Sequence, residues 1–197
     1  MLSELSLIKA ILALFIVIDP LGNVPLFITL TEKMDKKKKK RTFQTATFIS
    51  LVLLLIFALL GQQILTLFGI SLYAFMIAGG ILLLLISMKT LISNEKKSDV
   101  TEEVGAVPIA TPLLVGPGAI TTTIVLLQTY GIPITLISVL VNFLAIRLLF
   151  KYIDRIHRFL GKIGALVMAR IMAIFLAAIA INLIIEGIMK AFLFWIS

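Results

Sequence analysis

Apolar residues run along this chain in stretches of about 20 or more, separated by short polar or turn-forming segments. Each stretch is long enough to cross a hydrocarbon core of about 30 Å as a helix. Reading for apolar runs bounded by charge or turn residues predicts spans near residues 4–31, 43–67, 71–92, 105–129, 133–152 and 165–193. The expected fold is all-α: a polytopic membrane protein with six transmembrane helices in a single transmembrane domain, residues 1–197.

Composition strengthens that reading. Hydrophobic residues make up 60% of the 197 positions and charged residues 14%, which leaves more apolar surface than a soluble core of this size can hide. The first apolar run lacks a basic segment before it and a small-residue cleavage pattern after it, so it reads as a span rather than a removed leader. There is no cysteine and only one histidine, His157, which excludes thiolate metal sites and cysteine nucleophiles and leaves no metal or cofactor expected.

The net charge of +8 is placed where membrane topology explains it, and a nucleic-acid partner is not expected. Glu32–Arg41, with its run Lys36–Lys40, separates the first two spans. Lys96 and Lys97 lie in the third connection, and Lys151, Arg155, Arg158 and Lys162 in the fifth. The second connection, near Gly61–Ser71, and the fourth, near Thr129–Pro133, carry no charge. Basic segments face the cytoplasm, so both termini are expected outside, with membrane lipid as the surrounding partner.

Two motifs repeat. Asp19-Pro20-Leu21-Gly22-Asn23-Val24-Pro25 lies in the first span, and Thr111-Pro112-Leu113-Leu114-Val115-Gly116-Pro117 in the fourth. Thr29 falls opposite Thr121 at the same offset, and a slightly larger offset sets Gly69 against Gly164 and Ser87 against Asn182. Three spans per half is an odd number, so a repeat of about 1–95 followed by one of about 96–197 must be inverted, an architecture common in secondary transporters. A proline removes an amide hydrogen and unsettles the turn before it, so two prolines five apart with glycine between predict discontinuous first and fourth helices. Prolines also kink membrane helices without further consequence, but matched breaks in corresponding spans point to a site. Unpaired peptide groups in a bilayer cost several kcal/mol each unless a protected cavity or ligand satisfies them.

A small zwitterion suits such a site, because its carboxylate accepts from amides at one half-helix start and its ammonium donates to carbonyls at another's end. Gly22, Gly116 and Gly118 would keep the pocket wall close and exclude bulk. Asp19 lies about 24 Å along the first helix and is the ionisable group expected deep in the membrane, either as the ion-coupling residue or as a cap for a half-helix beginning at Pro20. Asn142 and Asn182 read as links between helices, Arg147 and Arg170 as side chains reaching the interface, and Glu186 with Lys190 as an ion pair. Ala78-Gly79-Gly80 and the alanine-rich stretch Ala173–Ala180 read as close-packing surfaces.

The pair Asp-Pro-x-Gly-Asn-x-Pro and Thr-Pro-x-x-x-Gly-Pro-Gly-Ala-Ile resembles the MarC family, whose members include the small neutral amino acid transporters called SnatA. The resemblance covers nearly the whole chain. It implies a carrier in a prokaryotic cytoplasmic membrane for glycine, alanine and similar substrates. It also implies a substrate site built from Asp19, Pro20, Gly22, Asn23 and Pro25 with Thr111, Pro112, Gly116, Pro117 and Gly118, to which the matched offset adds Thr121.

The expected function is therefore alternating-access transport of a small neutral amino acid, driven by a proton or sodium gradient. Export of drugs or other small metabolites and a non-transport scaffold are the competing readings. An enzyme is not expected, since the chain has no HExxH motif, no cysteine and one deep aspartate where a dyad needs two.

Overall fold

The computed structural model describes residues 2–32, 34–92 and 114–196, and all regular structure among them is helical. The first apolar run forms α1, Leu2–Ile18, and α2, Val24–Thr31, separated by a turn at residues 19–23. After it come α3, Lys36–Leu67, and α4, Leu72–Ile92. Helical structure then covers Pro117–Ile196, but Gly131 (φ 78°, ψ 176°) and Gly161 (φ 61°, ψ −175°) adopt backbone open almost only to glycine. These two residues divide the stretch into α5 (117–130), α6 (132–160) and α7 (162–196). Thr111, Pro112, the third connection with Lys96 and Lys97, and the start of the fourth predicted span lie outside the described residues.

By length and hydropathy, four helical stretches reach what a membrane crossing needs: Lys36–Leu67, Leu72–Ile92, Pro117–Gly161 and Ile163–Ile196. The third of them contains the turn at Gly131, and the first apolar run falls short because its break leaves pieces of 17 and 8 residues. Large apolar side chains cover the outside. Leu5, Ile8 and Leu12 on α1, Phe48, Val52 and Ile56 on α3 and Leu140, Leu144 and Leu148 on α6 recur at helical spacing with at least 39% of their surface exposed. An exterior of that kind is stable only against lipid.

Two boundaries differ from the sequence reading, for one reason. α3 begins at Lys36 rather than near residue 43, and α6 runs to residue 160 rather than 152. Lysine and arginine are good helix formers, and Asp35 caps α3 by accepting the Lys38 amide at 2.6 Å. Hydropathy marks where lipid ends, and the helices continue past it. At the other end α3 closes on Gly69 (φ 66°), with Ile70 N donating to Leu65 O at 2.8 Å and Gly69 N to Thr66 O at 3.0 Å, a left-handed stop only glycine accepts freely.

The helices of the first half pack chiefly on those of the second. Lys39 meets Asp154 and Phe43 stacks on Phe150, so α3 and α6 run antiparallel. Gly80 faces the Ala180 carbonyl and Ile184 while Gly187 faces Ile77 and the Tyr73 carbonyl, so α4 and α7 are antiparallel too. Asn142 on α6 donates to the Ile11 carbonyl of α1 at 3.1 Å, and Gly61 on α3 lies against Ile124 of α5. The glycine and alanine stretches thus act as packing surfaces, as the sequence suggested.

Burial repeats with the sequence. The offset from Asp19 to Thr111 is 111 − 19 = 92. Adding it to six of the eight buried α3 residues, Phe43, Ala46, Ser50, Leu54, Ala58 and Gly61, gives Thr135, Ser138, Asn142, Ile146, Phe150 and Ile153, all buried on α6, while Thr42 and Leu65 fall on the half-buried Ile134 and His157. Adding 93 to Met76, Gly79, Gly80, Leu83 and Ser87 gives Ala169, Met172, Ala173, Leu176 and Ala180, all buried on α7. Asn182 is exposed while Ser87 is buried, so burial sets Ser87 against Ala180 rather than Asn182. Glu186 and Lys190 are exposed and form no ion pair; among the described residues that contact is made by Lys39 and Asp154, at 2.6 Å.

Candidate functional site

The first break is held by its own side chains. Asp19 takes a left-handed backbone (φ 48°), rare for a residue with a Cβ, and its Oδ1 accepts the Gly22 amide at 3.0 Å. Asn23 returns both its amide (3.2 Å) and its Nδ2 (2.8 Å) to the Asp19 carbonyl. A Cβ at Gly22 would sit 2.5 Å from Asp19 Oδ1 and 2.7 Å from its Cγ, so the turn needs glycine there. The half-helix beyond begins at Val24, not at Pro20, because the turn spends residues 20–23 on closing back over Asp19. Pro25 then sits in its first turn, where a missing amide hydrogen is harmless.

The described part of the second motif, from Leu114 onward, packs against a neighbouring helix. Leu114 and Val115 are buried, Gly116 is half-buried, and helix resumes at Pro117. Gly118 is pressed against Leu83 of α4, and Gly79 of α4 against Thr121. A Cβ on Gly79 would come within 2.6 Å of the Thr121 Cγ2.

Beyond the breaks the two half-helices match bond for bond. Thr29 Oγ1 donates to Pro25 O at 3.0 Å and Thr31 Oγ1 to Phe27 O at 2.8 Å. Ninety-two residues on, Thr121 Oγ1 donates to Pro117 O at 2.9 Å and Thr123 Oγ1 to Ala119 O at 2.7 Å. The apolar flanks of both breaks, Ile18 and Val24 with Leu114, Val115 and Ala119, belong to one core cluster. Asp19 is half-buried, Pro20 buried, and Pro117 exposed. The Asn23 and Thr121 side chains are engaged by backbone carbonyls of their own segments.

The family model for MarC family integral membrane proteins matches residues 5–192. The chain belongs to the MarC family. This MarC protein is 37% identical to the UPF0056 membrane protein MJ1677 of Methanocaldococcus jannaschii, over 94% of this chain and 97% of the relative. It is 39% identical to a UPF0056 membrane protein of Archaeoglobus fulgidus (89% and 88% covered) and 37% identical to the UPF0056 membrane protein YhcE of Escherichia coli (93% and 92%). No solved structure matches it.

Two polar features of this MarC chain stand out only in three dimensions. Asn142 is 1% exposed and bridges Ile11 O and Ser138 O through Nδ2, while its Oδ1 has no partner among the described residues. Gln62 and Gln128 hydrogen-bond across α3 and α5, beside a cleft of about 310 Å³ that also takes in Ala58, Gln63 and Gly131. The signal for the glutamines was present in the sequence, as polar residues at the last turns of two spans, but their pairing needs the fold.

Proposed function

We propose that this protein is a secondary active transporter of small neutral amino acids such as glycine and alanine. It works by alternating access in a prokaryotic cytoplasmic membrane, six-spanning with both termini outside, and with a proton or sodium ion as the driving partner. The observation that carries the reading is the repetition of the broken segment: proline at the start of each half-helix and two threonine hydroxyls bonded back to matching carbonyls, at a constant offset of 92. Antiparallel pairing of α3 with α6 and of α4 with α7 supports inversion of the two halves, and with it rocking about a shared midplane site.

In this reading Asp19, Pro20, Gly22, Asn23 and Pro25 form one wall. Thr111, Pro112, Gly116, Pro117, Gly118 and Thr121 form the other. Asp19 is the residue for ion coupling or for the substrate ammonium, since the matching position in the other half, Thr111, cannot carry charge. Gly22 abuts the Asp19 carboxylate and Gly118 abuts Leu83, so these glycines keep the walls compact and favour a small guest.

The test is glycine or alanine flux by purified protein in liposomes under an imposed proton or sodium gradient. Gradient-dependent flux that Asp19→Asn abolishes is expected, and absence of flux under both gradients contradicts the proposal. A competitor panel of drugs and metabolites in the same assay separates the exporter reading. A scaffold instead predicts that Asp19→Asn and Gly116→Leu leave the cellular phenotype intact.

A further inference from the structure

The two ends of α3 are tied to the second half by different chemistry. At the basic end Lys39 Nζ donates to Asp154 Oδ1 at 2.6 Å, and at the other Gln128 Nε2 donates to Gln62 Oε1. The 23 residues from Lys39 to Gln62 span about 34 Å of helix, the thickness of a bilayer core. The 92-residue relation carries Gln62 onto Asp154 (62 + 92) and Gln128 onto Lys36 (128 − 92), one turn from Lys39. The two ties are therefore near-equivalent contacts at opposite ends.

Beneath them the ends diverge. Phe27, Phe43 and Phe150 interlock under the ion pair, with ring centroids 6.4, 5.0 and 4.2 Å apart and no ring residue more than 7% exposed. The same relation puts Ala119, Thr135 and Ala58 at the glutamine end. Three rings fill one end, and three small residues, each at most 2% exposed, occupy the corresponding places at the other, beneath the 310 Å³ cleft rimmed by Gln62, Gln63 and Gln128.

We propose that Phe27, Phe43 and Phe150, capped by Lys39–Asp154, form a gate that closes the basic end of the bundle, and that the glutamine-rimmed cleft is the opposite mouth. In the conformation described here aromatic bulk plugs the basic end, while the glutamine end carries only small, buried side chains beneath its cleft. The inference deepens the transport reading and takes its purpose from it, but it is read out by conformation and needs no substrate.

Because the chain has no native cysteine, single reporters are clean. Ala46→Cys lies on α3 one turn inward from the rings, where it is buried, and Gln63→Cys lies exposed on the cleft; maleimide labelling is followed in nanodiscs, where both faces are reachable. With an otherwise unchanged chain, the cysteine at 63 reacts faster than the one at 46. Phe150→Ala, which installs the residue found at the matching position 58, raises labelling at 46 by about tenfold, and Asp154→Asn raises it by about three- to fivefold. Labelling at 63 does not rise in either variant, and Phe150→Leu, which keeps apolar bulk, leaves position 46 protected. If Phe150→Ala does not fold, Asp154→Asn decides. Protection of 46 in every folded variant, or a parallel rise at 63 that signals general loosening, overturns the gate. Gated labelling without amino acid flux sinks the transport reading alone, and flux with unresponsive labelling sinks the gate alone.

Discussion

The first break and the described part of the second, from Leu114 onward, make different contacts. In the first, Asp19 supplies its own cap: its carboxylate binds the Gly22 amide and its carbonyl takes two bonds from Asn23. In the second, described from Leu114 onward, order comes from outside, through Gly118 against Leu83 and Thr121 against Gly79. The first break is polar and closes on itself, and the described part of the second, residues 114–118, leans on α4. Under the transport proposal a self-capped turn keeps its geometry, whereas a wall packed on another helix moves when that helix moves.

Substitutions rank by how directly they attack this difference. The largest loss of stability is expected from Gly79→Leu, which drives a side chain into Thr121 where even a Cβ is too close; destabilisation of about 3 kcal/mol or more follows from overpacking, visible as a lowered melting temperature in detergent. Gly22→Ala acts on the first break instead. Its Cβ displaces the Asp19 carboxylate from the amide it caps, with a loss of about 1–3 kcal/mol and a matching fall in flux. Asp19→Asn keeps an acceptor for Gly22 and removes the charge, so the melting temperature shifts by less than about 1 kcal/mol of stability while flux falls at least about tenfold. Equal losses of stability and flux would mean that Asp19 is a cap and nothing more. The smallest effect belongs to Thr29→Val on its exposed face, within about 0.5 kcal/mol, whereas Thr121→Val at 1% exposure is felt through its contact with Gly79.

Much of this was legible from residue order. The apolar runs placed the helices, and Asp-Pro-Leu-Gly-Asn placed the first break, because proline, glycine and a capping acid act on backbone within a few residues. The start of α2 at Val24 was missed by four residues, since the sequence does not show that Asn23 would fold back on Asp19. The lysine run marked a membrane edge and concealed that it forms the first turns of α3. Asn142 looked like one more polar residue in a span, and only the fold shows its Nδ2 reaching α1. Phe27, Phe43 and Phe150 are far apart in sequence and ordinary in a membrane helix, so their contact was invisible there. Local backbone chemistry reads directly from sequence, and non-local pairing does not.

The central claim, that the two breaks face one small guest, is tested most directly by substrate protection of single cysteines at Asn23 and Gly116 in the otherwise cysteine-free chain. Glycine should slow maleimide labelling of both with the same concentration dependence, and leucine should slow neither. Protection of one position without the other, or of neither at any glycine concentration, would contradict it.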